Sequence, residues 1–451
     1  VSHEVTPTPT AGPISEASHV APVVTNAAAR PSRFFPVRPS NLKESGLRDV
    51  DVEALLLKAL FTSGAATGKA LSATTRLAGE LVRGVLDRLR AELLITLKGA
   101  TETGDFVYMV TETGAQRAKQ YALHTSYCGA APVTLEQYEA SVHAQSVATY
   151  PVQITKFKEA LSDLQLPPDV LSRLAQAVNA GRGLFLYGPP GNGKTSVAER
   201  LTRSYDDPIW IPRAVMVSGE IIRLFDSSVH EEVDPTAANL AIDMDQLDRR
   251  WVLIHRPTIV VGGELQLIHL DLMPSQSTGV FEAPIQMKAN GGTLVIDDFG
   301  RQRCTPSDIL NRWIVTLEKR ADFLTLPNGR QLRVPFEQNL VLATNMRPSD
   351  VIDEAYMRRI PFKIELRDPT EETFVDLFRR VCAQFKVEYD ESVVHYLVER
   401  YYRGQQRPFR YCHARDLIFQ VRNLCELHSI PWKLTKQNID IATSNYFCET
   451  P

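Results

Sequence analysis

The chain has 451 residues, 44% hydrophobic and 23% charged, with a formal net charge of −3. That length exceeds what one hydrophobic core organises, so two or three domains are expected. The near-neutral balance removes any whole-chain electrostatic case for nucleic acid or an anionic membrane. No stretch approaches the ~18 apolar residues of a spanning helix, and no secretory pattern opens the chain. The six cysteines are scattered without a C-x-x-C pair, so a cytoplasmic protein with no disulfide framework, no zinc site and no membrane attachment is expected.

Residues 1–42 hold seven of the 28 prolines among Thr, Ala and Ser. Such a composition buries too little apolar area to offset its ordering entropy, and it reads as a disordered tail. Phe34-Phe35-Pro36-Val37 reads as linker rather than as a docking motif. From Val52 the pattern becomes helical, with Leu55, Leu56, Ala59 and Leu60 on one face. Further helices are expected near 68–77 and 79–94, the latter carrying Leu81, Val82, Val85, Leu86 and Leu89. Two strands follow, over 94–97 and 106–110, with a turn at 99–104, then a helix from Thr111 through Tyr121. Residues 43–125 therefore resemble a winged helix-turn-helix. Arg76, Arg83, Arg88 and Arg90 would be its DNA contacts. Glu80, Asp87 and Glu92 dilute them, so protein–protein or intramolecular docking is favoured over DNA, whose readers show a basic stripe for its phosphates. Residues 126–153 read as a connector with one helical stretch.

An amphipathic helix with Leu171, Leu174, Ala175 and Val178 ends at Gly181-Arg-Gly183, before the strand Leu184-Phe-Leu-Tyr187. Gly188-Pro-Pro-Gly-Asn-Gly-Lys-Thr195 then fills G-x-x-x-x-G-K-[ST] without a gap. Glycines let backbone N–H groups turn inward around an anion, and the helix opening at Lys194 adds its unpaired N–H groups and positive dipole end. Gly188, Pro189, Pro190, Gly191, Asn192, Gly193, Lys194, Thr195 and Ser196 are the candidate phosphate cradle. Lys194 would reach the β- and γ-phosphates, and the Thr195 hydroxyl would serve Mg²⁺. Ile209–Ile211 and Ala214–Val217 read as a second strand region. The stretch 226–290, with its own apolar run at 257–261, is too long for one crossover and is expected to carry function or lie at an interface.

Thr293-Leu-Val-Ile296 has the continuous branched apolar character of a parallel strand covered on both faces. Asp297 and Asp298 close it, where ligands bind in open α/β sheets. Asp297 would hold Mg²⁺, and Asp298 would orient or deprotonate an attacking water. A helix over 307–321 is followed by a hairpin, Phe323–Leu326 with Leu332–Val334 around Pro327-Asn-Gly-Arg330. A strand over 339–343 runs to Thr344-Asn345, and Arg358-Arg359 precedes a last strand over 361–366. From Pro369 the chain is helical to near its end, over 371–385, 391–402, 414–427 and 435–446.

In that order the motifs resemble those of the AAA+ ATPases over about 154–451. Gly188–Thr195 is similar to Walker A, Leu294–Asp298 to Walker B, and Asn345 to the first sensor. Arg359, or Arg358 beside it, resembles the arginine finger, and Arg415 in His413-Ala-Arg-Asp416 the second sensor of the helical lid. The hairpin is similar to that of the MoxR-like groups, and the whole resembles bacterial AAA-family ATPases with an amino-terminal winged helix. Aspartate at 298 departs from the family's usual glutamate. The resemblance implies an α/β fold: a P-loop AAA+ core over 154–368 with a parallel sheet and flanking helices, and a helical lid over 369–451. It further implies Mg²⁺ and ATP, hydrolysis, and a homo-oligomeric ring, most often hexameric, that remodels an unidentified protein or nucleoprotein client. Two alternatives stand beside it: an ATP-controlled DNA-binding regulator acting through residues 43–125, and a nucleotide switch that does not hydrolyse.

Overall fold

The computed structural model describes residues 34–447 apart from 103, 150, 206, 237–242, 276–278 and 327. The expected tail over 1–33 and Pro327 of the hairpin turn lie outside the described residues.

A five-stranded, all-parallel sheet forms the centre, with strands β1 (Leu184–Tyr187), β2 (Thr258–Val261), β3 (Thr293–Ile296), β4 (Asn339–Thr344) and β5 (Phe362–Glu365). Its order is β2-β3-β4-β1-β5. Every residue of β3 and β4 is buried, as a sheet covered on both faces requires. Two cores cover it. Leu174, Val178, Val197, Leu201, Val295 and Val341 fill one side; Phe185, Leu294, Trp313, Leu317, Phe336 and Leu342 fill the other. Trp313 lies on the helix Pro306–Lys319, which Thr305 and Asp308 start with a reciprocal capping box and a proline at the first turn. The carboxyl-terminal helices Glu371–Phe385, Glu391–Leu397, Tyr411–Leu427 and Lys436–Phe447 pack around an aromatic core of their own. The fold class is thus α/β: a parallel sheet with flanking helices and a helical carboxyl-terminal unit. Among the described residues no helix is long and apolar enough to cross a membrane.

The amino-terminal region has helices Asp49–Ser63, Gly68–Thr75 and Gly79–Ala91, then strands Ile95–Ala100 and Phe106–Val110. Ala66–Thr67 adds a third antiparallel strand beside Phe106–Val110.

Three readings of the sequence need correction. Residues 34–42 are not tail: Phe34 packs on Trp251 and Phe35 on Trp210, with ring centroids 5.3 and 6.2 Å apart. The Arg38 N–H donates to the Gln246 carbonyl and the Asp248 N–H to that of Pro36, so the segment is held by backbone as well. Second, 126–153 is more than a connector, because Val133–Thr134 pairs in parallel with Val215–Met216. Third, Ile209–Pro212 and Ala214–Val217 stand outside the main sheet. Ile209–Pro212 pairs with Trp251–Ile254 in a ribbon. Ala214–Val217 belongs to a second five-stranded sheet with Val133–Thr134, Glu220–Arg223, Phe281–Glu282 and Met273–Pro274. The main sheet takes its second strand from Thr258–Val261, inside the stretch read as an insertion.

The inserted ribbon, the second sheet and the amino-terminal region are joined by Arg250. Its side chain is 1% exposed. It grips the Asp248 carboxylate at 2.8 Å and donates to the carbonyls of Ser45 and Pro132 at 2.9 and 3.2 Å. Burying a guanidinium is tolerable only when its donors are matched in this way.

Candidate active site

The carboxyl ends of β1, β3 and β4 lie side by side, and the three segments that leave them converge. After Tyr187 the chain turns at Gly188 with φ +141°, where a Cβ would come within 2.3 Å of the Leu366 carbonyl. Only glycine allows the loop to pass so close to the end of β5. The loop runs through Pro189, Pro190 and Gly191 to Gly193, and the helix Lys194–Leu201 starts with no side-chain cap. Its first N–H groups are therefore directed at whatever occupies the loop, which suits a phosphate. Ser196 completes the first turn.

Lys194 is buried and donates to the carbonyls of Gly188 and Pro189 at 2.9 and 3.0 Å and to Asn345 Oδ1 at 2.6 Å. Burial holds its pKa below the usual lysine value; Asp297 and Asp298 oppose that shift and Arg410 adds to it. Thr195 Oγ1 donates to Asp297 Oδ2 at 2.7 Å. Asn345, one residue beyond β4, donates through Nδ2 to Asp298 Oδ1 at 3.0 Å. Lys194, Thr195, Asp297, Asp298 and Asn345 thus form one connected constellation drawn from three strands. Among the described residues no cluster of three His, Cys, Asp or Glu side chains could hold a metal by itself. One hydroxyl beside one carboxylate nevertheless fits Mg²⁺, which takes few protein ligands and completes its shell with phosphates and water.

Asn192 is buried; its Nδ2 donates to Asp368 Oδ1 at 2.7 Å and to the Leu366 carbonyl at 3.3 Å. Asp368 also pairs with Arg410. The Cys412 N–H donates to the Gly191 carbonyl at 3.0 Å. The third carboxyl-terminal helix starts at Tyr411, three residues earlier than the apolar pattern alone indicates, and Arg410 before it lies against the loop at Gly191. Arg415 has a side chain 72% exposed, with its nearest acid the neighbouring Asp416 at 3.9 Å. Beside Asn192 and Asp368, a cavity of about 290 Å³ is lined by Leu166, Val170, Tyr187 and Tyr411 together with the charged Asp169, Arg173, Glu365 and Arg367.

The two arginines before β5 differ. Arg359 donates to the Ala355 carbonyl at 2.9 Å and pairs with Glu318 at 3.2 Å. Arg358 is exposed; its backbone N–H donates to the Glu354 carbonyl at 3.3 Å, and its side chain makes no hydrogen bond or ion pair among the described residues. The sequence places Arg410 just before the third carboxyl-terminal helix without giving it a role, and it gives Asp368 and, beyond Asp298, Gln302 none. The boundary of the lid helix was the one available signal for Arg410; the other two act through contacts that no motif encodes.

Comparison with known proteins finds only distant likenesses. Residues 370–445 match a family described as a domain of unknown function, DUF8689. No curated protein matches the chain. Among solved structures, the RuvB Holliday junction branch migration motor of Thermotoga maritima is similar at 14% identity and a TM-score of 0.35, covering 65% of this chain and 73% of its own. NtrX of Brucella abortus, solved in complex with ATP, is similar at 13% identity and a TM-score of 0.37, covering 63% of this chain and 56% of its own. The fold assignment rests on this chain's own strand order and loop.

Proposed function

We propose that this chain is a Mg²⁺-dependent ATPase of the AAA+ type, working as a ring oligomer to remodel a protein partner. The observation that carries the reading is the single network joining Lys194, Thr195, Asp297, Asp298 and Asn345 across the ends of three adjacent strands. Gly188–Ser196 would cradle the triphosphate, and the cavity beside Asn192 would take the base. Lys194, whose acceptors are the loop's own carbonyls and Asn345, would exchange them for phosphate oxygens. Thr195 and Asp297 would hold Mg²⁺, which supplies charge neutralisation at the phosphates. Asp298 would accept a proton from water as the water oxygen bonds the γ-phosphorus and the bond to the ADP oxygen breaks, yielding ADP and phosphate. Asn345 would fix Asp298 and that water.

Arg410 suits the lid's phosphate-sensing role better than Arg415, because it lies against the loop and within the field of Lys194. Arg358 suits the finger presented to a neighbouring subunit, because Arg359 is engaged within its own chain. A protein client is favoured over DNA. The exposed positions of the helix Gly79–Ala91 include Glu80, Arg83, Asp87 and Arg90, which alternate in sign instead of forming a basic stripe.

The test is calorimetric titration with Mg-ATP alongside a phosphate-release assay. Lys194→Ala should bind no ATP, and Asp298→Asn should bind ATP without turnover. Unchanged affinity in Lys194→Ala would refute nucleotide binding at this loop. Binding without turnover in the wild type, concentrated enough to assemble, would leave a nucleotide switch instead.

A further inference from the structure

Asp298 has φ +47°, the left-handed backbone region that residues with a Cβ rarely adopt and that aspartate and asparagine tolerate best. Left-handed single residues persist where their surroundings hold them, and here both sides of Asp298 are clamped. Downstream, the Phe299 N–H donates to the Ala343 carbonyl of β4 at 2.7 Å, and its ring packs edge-on against Phe185 of β1 at 5.9 Å. Upstream, the Asp297 N–H donates to the Val261 carbonyl of β2 at 2.8 Å. Across the turn lies Gln302. Its Nε2 donates to the Asp297 carbonyl at 2.8 Å and to the Asp298 carbonyl at 3.2 Å, and its Oε1 accepts from the Gly300 N–H at 2.8 Å. One amide therefore binds three backbone groups of the segment 297–300. The outcome is a carboxylate whose Oδ1 meets Asn345 at 3.0 Å.

We propose that Gln302 is a positioning residue for hydrolysis, holding Asp298 in the left-handed conformation that aims its short carboxylate at Asn345. Aspartate stands at 298 because this backbone conformation accepts it, and the turn rather than side-chain length sets where the carboxylate lies. The proposal rests on the reading of Asp298 as the group that activates water. A glutamate at 298 would add a methylene and pay the larger left-handed penalty, and its carboxylate would overshoot the amide of Asn345.

The experiment measures kcat, KM, Mg-ATP affinity and melting temperature for the full chain and its variants. Gln302→Ala should lower kcat by about 10- to 100-fold, the scale of a misplacement near 1 Å, while KM, ATP affinity and melting temperature stay near wild type. Gln302→Glu keeps the acceptor for Gly300 and the side chain's bulk but loses the donor, and it should show the same fall in kcat. Gln302→Asn covers the case in which alanine fails to fold; its shorter amide should also depress kcat alone. Asp298→Glu should not exceed the wild-type rate. Wild-type kcat in Gln302→Ala, or a faster Asp298→Glu, overturns the proposal while leaving the ATPase reading intact. A fall in kcat matched by equal losses of affinity and melting temperature makes Gln302 a structural prop and overturns it too. A wild type that binds ATP without turnover removes the ATPase reading and this proposal together.

Discussion

Replacing Gly191 with alanine perturbs the place where the loop and the lid touch. Gly191 has φ +83°, and a Cβ there would lie 2.6 Å from Cys412 Sγ and 3.6 Å from Arg410 Cβ. Two costs follow and can be separated. A left-handed alanine costs about 1–2 kcal/mol, and if bound nucleotide requires this loop shape the cost appears as about a 5- to 30-fold weaker Kd. The second cost is steric: a 2.6 Å approach to sulphur forces the loop or the start of the lid helix to shift. Cys412→Ala removes the sulphur but keeps the backbone bond from the Cys412 N–H to the Gly191 carbonyl. Calorimetric Mg-ATP titration of the two single variants and the double variant resolves the terms. Cys412→Ala should bind like wild type, Gly191→Ala should lose more than 30-fold on the same estimate, and the double variant should recover to the purely conformational loss. Wild-type affinity in Gly191→Ala refutes the loop geometry. A double variant no better than Gly191→Ala refutes the contact between loop and lid.

The arginine assignment predicts that Arg358→Ala retains ATP affinity but loses most turnover, while Arg359→Ala shifts mainly stability. Mixing Arg358→Ala subunits with Lys194→Ala subunits should restore partial phosphate release, and no recovery argues against a shared site. A third prediction concerns pH. Lys58 is buried with its Nζ donating to the Thr125 carbonyl at 2.9 Å, and burial lowers its pKa from 10.5 to about 8. Between those values the unfolded chain binds the proton more tightly than the folded one, so stability rises with pH across that window and is flat below it. Urea unfolding should show this rise in wild type, and Lys58→Met should lack it; parallel profiles would place the lysine in solvent.

The strands Leu184–Tyr187, Thr293–Ile296 and Asn339–Thr344 were legible because each is a short, near-continuous apolar run, and the loop because its residue types and spacing have one physical use. Pairing was not legible. Ile209–Ile211 and Thr258–Val261 look alike as apolar runs, and only partners more than 30 residues away assign one to a ribbon and the other to the sheet. Phe34 and Phe35 stand in a proline-rich context that reads as tail, whereas their half-burial depends on Trp251 and Trp210. Arg358 and Arg359 are neighbours with equal claims until Glu318, 41 residues earlier, engages one of them. Of the residues named from motifs, Lys194, Thr195, Asp297, Asp298 and Asn345 lie together, whereas Arg415, Arg358 and Arg359 do not join them. What the motifs omit is what holds them, since Gln302 and Asp368 act through backbone carbonyls and a cross-segment ion pair.

Arg250 has a mechanical meaning. A guanidinium sealed against Asp248 and two distant carbonyls is a rivet, and pulling it leaves a buried charge without its partner, at a cost of about 3–5 kcal/mol. The amino-terminal region is therefore a bracket bolted to the frame, and it cannot swing as a free arm. On the function proposed above, a load gripped there would travel only as far as the α/β body travels, and the stroke would be sought around Asp368, which Asn192 and Arg410 share.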